Sequence, residues 1–326
     1  TASDNTAVGK TALYYNTTGT FNTALGRGSM EQNTTGSNNT AVGRIALISN
    51  TTGASNTALG MNSMLDNTTG AANTALGESA LGNNTTASNN TAVGKDALGT
   101  NTTGTRNVAV GFEALKTVAT SGYNVAIGSG SLKLNTAAGN TAVGDYSANA
   151  NTTGTLITAI GSYALGANTT GANNVALGDE AMRSNTTASS NVGIGRRSLY
   201  YNTTGAVNVA VGYLALYKNT TASYNNALGY EALKENTTGA QNVGIGKGAL
   251  EKNTTASNNT AVGHQALIAN TTGTGNTAVG ESNLDSNTTG TGNTSVGRAA
   301  AHQLTTGSYN TIVGHLAGAN NGGLIT

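Results

Sequence analysis

Asn5-Thr6-Ala7-Val8-Gly9 returns seventeen residues later as Asn22-Thr23-Ala24-Leu25-Gly26. The block recurs from Asn39, Asn56, Asn73, Asn90, Asn107, Asn124, Asn140, Ile157, Asn174, Asn191, Asn208, Asn225, Asn242, Asn259, Asn276, Asn293 and Asn310, giving 19 copies. Eighteen copies are 17 residues long and the one from Asn124 has 16. With four leading residues they account for all 326 positions, so residues 1–326 read as a single repeat array with no room for a linker or a second domain. Self-similarity at a fixed short period is the signature of a solenoid.

Numbering each copy from its Asn gives coil positions 1 to 17. Position 5 is Gly in every copy, and position 4 is always Val, Leu or Ile. Position 3 is mostly Ala, position 8 mostly Ala or Ser, and position 9 mostly Leu or Met. Positions 12 to 14 read Asn-Thr-Thr in 15 copies. Seventeen residues is too short for a pair of helices. The alternation in N-T-A-V-G predicts a strand, with Thr and Val on one face and Ala on the other. Gly at position 5 predicts a corner with positive φ or a close backbone approach. A second short strand is expected around [AS]-L, followed by an Asn-Thr-Thr-Gly turn. The fold expected is therefore all-β, a parallel β-solenoid (β-roll) of 19 coils. Stacked at ~4.8 Å, they would form a rod of roughly 90 Å.

The phase of the variable residues supports stacking. Of 29 charged residues, 27 fall at positions 6, 7, 10 or 11, and all 14 aromatics fall at positions 6, 7, 10, 11 or 17. Variation is confined to outward ridges. The core is expected from the aliphatic residue at position 4 and the Leu or Met at position 9. The small residue at position 3 then lies on the opposite face, where close packing of another chain points to threefold self-association.

Composition removes several functions. Lys plus Arg is 15 and Asp plus Glu is 14, so there is no electrostatic reason to bind nucleic acid. The absence of Cys removes disulfides and thiolate metal sites. No run of ~18 apolar residues is present for a membrane-spanning helix, so no membrane insertion is expected. No cofactor motif appears, since Gly26-Arg27-Gly28 and similar patterns lack a strand–helix context. His264, His302 and His315 show no metal-ligand spacing.

The surface offers several sites to weigh. The triplets at Asn16, Asn33, Asn50 and Asn67 fit the N-x-[ST] glycosylation pattern, although an asparagine and threonine ladder in the turns explains them more simply. The adjacent Thr columns raise ice binding, but neighbouring residues of a strand point to opposite faces. Tyr200, Tyr201, Tyr213, Tyr217, Tyr224 and Tyr230 are half of the 12 tyrosines, and such rings in register suit a glycan or a partner protein. Asp96 and Glu113 share position 7 of adjacent coils, the one such acidic pair suggesting glycan cleavage, with Lys95 and Lys116 near enough to neutralise it. Catalysis is not expected.

The run N-T-A-[VL]-G-x-x-A-L-x-x-N-T-T-G resembles the repeat arrays of phage-type tail fibres and related bacterial surface fibres. Its core, [NS]-x-A-[VI]-G-x-x-[AS], is similar to the head repeats of trimeric autotransporter adhesins. The resemblance covers essentially the whole chain and implies a left-handed roll and a homotrimer on a cell or virion surface. The 17-residue coil is longer than the usual adhesin head repeat. Thr1-Ala2-Ser3-Asp4 matches the tail of a coil, so the chain reads as a piece of a longer array or one that has lost a leader. Asn320 to Thr326 reads as an atypical terminal coil whose exposed strand edge invites end-to-end growth. The function expected is a structural segment of an extracellular fibre or adhesin: a rigid rod that supports attachment, self-associated as a homotrimer or filament. Surface glycans or a host receptor are the expected partners. The alternatives are a single-chain ice-binding roll and a glycan-cleaving phage spike.

Overall fold

The computed structural model describes residues 2–318, so the terminal-coil reading of Asn320 to Thr326 lies outside the described residues. The chain divides into two compact units, Thr1–Ile157 and Thr158–Thr326. Each is a parallel β-solenoid with a 17-residue period. The first unit holds nine strands, from β1 (Thr6–Val8) to β9 (Thr141–Val143). The second holds ten, from β10 (Thr158–Ile160) to β19 (Thr311–Val313). No helix of the described residues is long and apolar enough to cross a membrane.

Every strand is three residues long and occupies coil positions 2 to 4. Successive strands pair in parallel with equivalent residues aligned, as in Thr23↔Thr40, Ala24↔Ala41 and Leu25↔Val42. Coil-to-coil bonding continues around the turns, where Met30 N donates to Ala46 O at 3.1 Å and Thr34 N to Thr51 O at 2.9 Å. The glycine corner is as expected: Gly26 has φ 134°, and a Cβ there would sit 2.4 Å from the Gly43 carbonyl oxygen. No side chain fits that approach.

The second strand expected around [AS]-L does not form. Positions 7 and 9 both adopt left-handed φ, as at Ile45 (52°) and Leu47 (54°), and so does position 17, as at Asn38 (60°). Positive φ breaks the pleat, and the segment becomes a chain of tight turns. The second reversal at position 9 aims Leu or Met into the coil, where Leu47, Leu81 and Leu98 are fully buried.

Which face of the strand lies inside is also corrected. Ala24, Ala41, Ala58 and Ala75 at position 3 are completely buried, whereas Val8, Leu25, Leu59 and Leu76 at position 4 are 42–55% exposed. The interior is too narrow for an aliphatic residue at position 4. It already contains the position 9 side chain and two columns of buried asparagines, at positions 1 and 12. The tightness is local as well. Where position 9 is Met182, the facing position 3 residue is Gly193, whose Cβ would lie 2.7 Å from Met182 Cγ.

The asparagine columns brace each coil. Asn22 Nδ2 and Asn33 Nδ2 both donate to the Gly36 carbonyl, at 2.8 and 2.9 Å, so one acceptor ties two walls together. Between coils, Asn39 N donates to Asn22 Oδ1 at 3.0 Å and Asn50 Nδ2 to Asn33 Oδ1 at 2.7 Å. A buried amide is tolerated because its polar atoms are paired. Thr hydroxyls at position 13 add a third ladder, with Thr34 Oγ1 donating to Thr51 O at 2.9 Å.

Candidate functional site

The inverted strand faces leave positions 2 and 4 outward. Position 2 carries Thr or Val, with the single exception of Asn226, and position 4 carries Val, Leu or Ile. No residue at either position is charged or aromatic. In-register pairing sets these side chains in two straight columns within each unit. Leu59 is 43% exposed and Leu228 is 48% exposed. Exposed aliphatic residues scattered singly need no explanation, but a continuous patch does. The sequence shows this face in its alternation; what it leaves open is which half of the alternation meets water.

The asparagine triplets are placed by the ladder. Asn33, Asn50 and Asn67 are completely buried. Asn67 Nδ2 donates to Asn50 Oδ1 at 2.9 Å and to Gly70 O at 3.1 Å. Asn16, in the first coil, is half-buried and donates to Gly19 O at 3.0 Å. In a folded coil these amide nitrogens face inward, away from any enzyme that would glycosylate them. Of the two adjacent threonines, Thr51 is hydrogen-bonded to the next coil through Thr68 O at 3.0 Å, and Thr52 is exposed.

The tyrosines form two clusters. At positions 10 and 11, Tyr200, Tyr201 and Tyr217 have ring centroids 4.7–5.5 Å apart. The Arg197 guanidinium lies 5.7 Å from the Tyr200 ring centre. Burial, and then the hydrogen bond with Tyr201, push the Tyr217 hydroxyl above its usual pKa. At position 6, Tyr213 and Tyr230 stack at 5.4 Å, with Lys247 Nζ 5.9 Å from the Tyr230 ring. Tyr224 stands at position 17 and is exposed. Much of each ring's face is used on its neighbour, in the manner of cross-strand aromatic pairs.

The acidic pair is held in ion pairs. Glu113 contacts Lys116 and Lys133, each at 2.6 Å, and Asp96 lies 3.6 Å from Lys116. Hydrogen bonds from Lys116 and Lys133 hold the Glu113 carboxyl below the usual glutamate range. That is the wrong direction for a carboxyl that must give up a proton near neutral pH. Lys116 neutralises the pair as the sequence suggests, whereas Lys95 pairs with Glu78 at 3.0 Å. Lys133, one coil further on, is the partner that sequence reasoning missed. Other charged ridges pair between coils in the same way, including Arg197 with Glu180 at 2.6 Å and Lys218 with Glu235. No group of three or more metal-ligating side chains is present among the described residues.

One groove was not foreseen. It has a volume of about 290 Å³ and is lined by Asn62, Leu65, Ser79, Gly82, Asn83, Asp96, Gly99, Thr100 and Lys116. Its signal in the sequence is Gly at position 10 of two adjacent coils, where flanking coils carry Leu65 and Lys116.

No protein-family model matches this chain, and no curated protein is significantly similar to it.

Proposed function

We propose that this protein is a structural segment of an extracellular fibre or surface adhesin, self-associated as a homotrimer through its outward sheet face. The observation that carries the reading is that face: Thr or Val beside Val, Leu or Ile, with no charge at any strand. Strands ~4.8 Å apart and columns ~7 Å apart give roughly 300 Å² of outward sheet in each unit. That reaches the lower end of the size range of the largest apolar patch on a typical monomer, roughly 300–600 Å². A second copy fits because its face is equally uncharged and carries the same aliphatic column at position 4. The resemblance to fibre and adhesin repeats supports a left-handed roll, a threefold assembly and a cell-surface or virion-surface setting. The ridges, which carry the tyrosine clusters and the charges, stay outside that seam and would be the parts that meet a glycan or a receptor. Repetition of weak contacts on one particle then adds by avidity.

The test is native mass by light scattering, with negative-stain imaging. The reading expects an elongated particle of three times the 32.2 kDa chain. A compact 32.2 kDa monomer at micromolar concentration would contradict it and leave the single-chain alternatives.

A further inference from the structure

We propose that the groove over Gly82 and Gly99 is a binding site for a single neutral sugar ring. Coil position 10 is a ridge position, and the residues before and after the two glycines there are Leu65 and Lys116. The glycines interrupt that ridge for two coils, a length of ~10 Å at the strand spacing.

The backbone does not demand glycine at either place. Neither residue has a positive φ. A Cβ on Gly82 would approach only the Ser79 turn, at 3.2 Å, and one on Gly99 only the Asp96 turn, at 3.1 Å. The same turn carries a leucine at Leu65 and a lysine at Lys116. What the glycines provide is space.

The walls around that space are polar and largely uncommitted. Asn62 and Ser79, half-buried at position 7, and exposed Asn83 at position 11 make no side-chain hydrogen bond among the described residues. Thr100 is tied down, its hydroxyl donating to Lys116 O at 2.7 Å. Asp96 and Lys116 close one end of the groove and Leu65 stands at the other. The amides of Asn62 and Asn83 both donate and accept, the Ser79 hydroxyl does the same, and the Asp96 carboxylate accepts. Neighbouring hydroxyls on a ring need that mixture, and Leu65 offers an apolar wall for ring C–H groups. A charged ligand is not favoured. Asp96, Glu113, Lys116 and Lys133 sum to zero, and both lysines are already engaged by carboxylates. At ~30 Å³ per water, 290 Å³ holds roughly ten waters, which suits one pyranose better than an oligosaccharide or a lone ion. The site lies on the ridges, away from positions 2 and 4, so it does not depend on the self-association proposed above.

The experiment is saturation-transfer NMR on the full chain. The probes are the methyl glycosides of glucose, galactose, mannose and N-acetylglucosamine. At least one should receive saturation. Gly82→Leu and Gly99→Leu should each abolish it by filling the groove. Asn62→Ala and Asn83→Ala, which leave the glycines in place, should weaken it about tenfold, the effect of one or two lost hydrogen bonds. Gly166→Leu, the same change at a position 10 glycine that stands alone, should leave binding intact. Thermal unfolding of each variant reports whether the coil has survived. Transfer to none of the four probes would overturn the proposal. So would transfer that persists in the two leucine variants, or that is lost equally in Gly166→Leu.

Discussion

Val118 and Leu304 stand at position 12, where most coils carry the ladder asparagine, and each leaves a mark on its neighbour. Asn101 Oδ1 and Asn287 Oδ1 are buried without a hydrogen-bond partner, each facing one of these interruptions. A buried acceptor left unpaired costs ~1–3 kcal/mol. Val118→Asn should therefore stabilise the protein by about 1 kcal/mol, measured by urea denaturation, because its amide can donate to Asn101. Val207 carries a second local strain. It is β-branched, 46% exposed and held at φ 58°, where Gly275 and Gly292 serve the same coil position. Left-handed φ costs an ordinary residue ~1–2 kcal/mol. Val207→Gly should raise the melting temperature, even after the greater chain entropy of glycine in the unfolded state. The Glu113 pair makes a pH prediction. The folded carboxyl titrates below its unfolded value, so its contribution is present above the ordinary glutamate range and is lost as pH falls through the depressed folded value. Lys116 is raised by Glu113, so its share is present below the ordinary lysine range and is lost as pH rises through the raised value. Both groups are partly exposed, so Glu113→Gln should cost less than ~1 kcal/mol at neutral pH and nothing at strongly acidic pH, with salt shrinking the difference.

At the scale of the element, the three-residue strand has one side that tolerates only Ala, Gly or Ser in nearly every coil and another that accepts any aliphatic residue. Leu59→Lys with Leu76→Glu places opposite charges on aligned outward residues of adjacent strands. The circular dichroism of the variant should match that of the parent. Its native mass should fall to one chain, because the two charges would have to be buried in the seam. How far the sequence reports this element follows from the same residues. The period, the strand at Thr23-Ala24-Leu25 and the corner at Gly26 are all legible, since each rests on local chemistry. The inside and the outside of the strand are not. Neither Thr23, Ala24 nor Leu25 is charged, and the larger apolar residue reads as core until the volume used by Met30, Asn22 and Asn33 is known. The absent second strand was hidden for a similar reason. Left-handed φ is unfavourable for both Ile45 and Leu47, and only the stacked backbone forces them into it. Of the candidate sites, the tyrosine columns and the acidic pair could be placed by phase alone. Lys133 and the Gly82–Gly99 groove required knowledge of which ridges adjoin.

At the scale of the whole molecule, each solenoid unit is held by coil-to-coil terms of one kind: backbone ladders, two asparagine columns and a thin Ala and Leu interior. Such architectures draw stability from neighbours rather than from one large core. They also present whatever is outward at one position again at every coil, so a weak aliphatic contact becomes a seam. In the proposed assembly the position 4 column is covered by another copy of the chain. The chain has no cysteine, so a single introduced thiol reports its own exposure. The decisive measurement compares thiol-labelling rates of Leu76→Cys, on the outward sheet face, with Thr86→Cys, on the exposed turn. Both parent residues are exposed in a lone chain. Covering of the sheet face predicts that Cys at 76 reacts much more slowly than Cys at 86 and that dilution below the assembly threshold removes the difference. Equal rates at all concentrations would contradict the account.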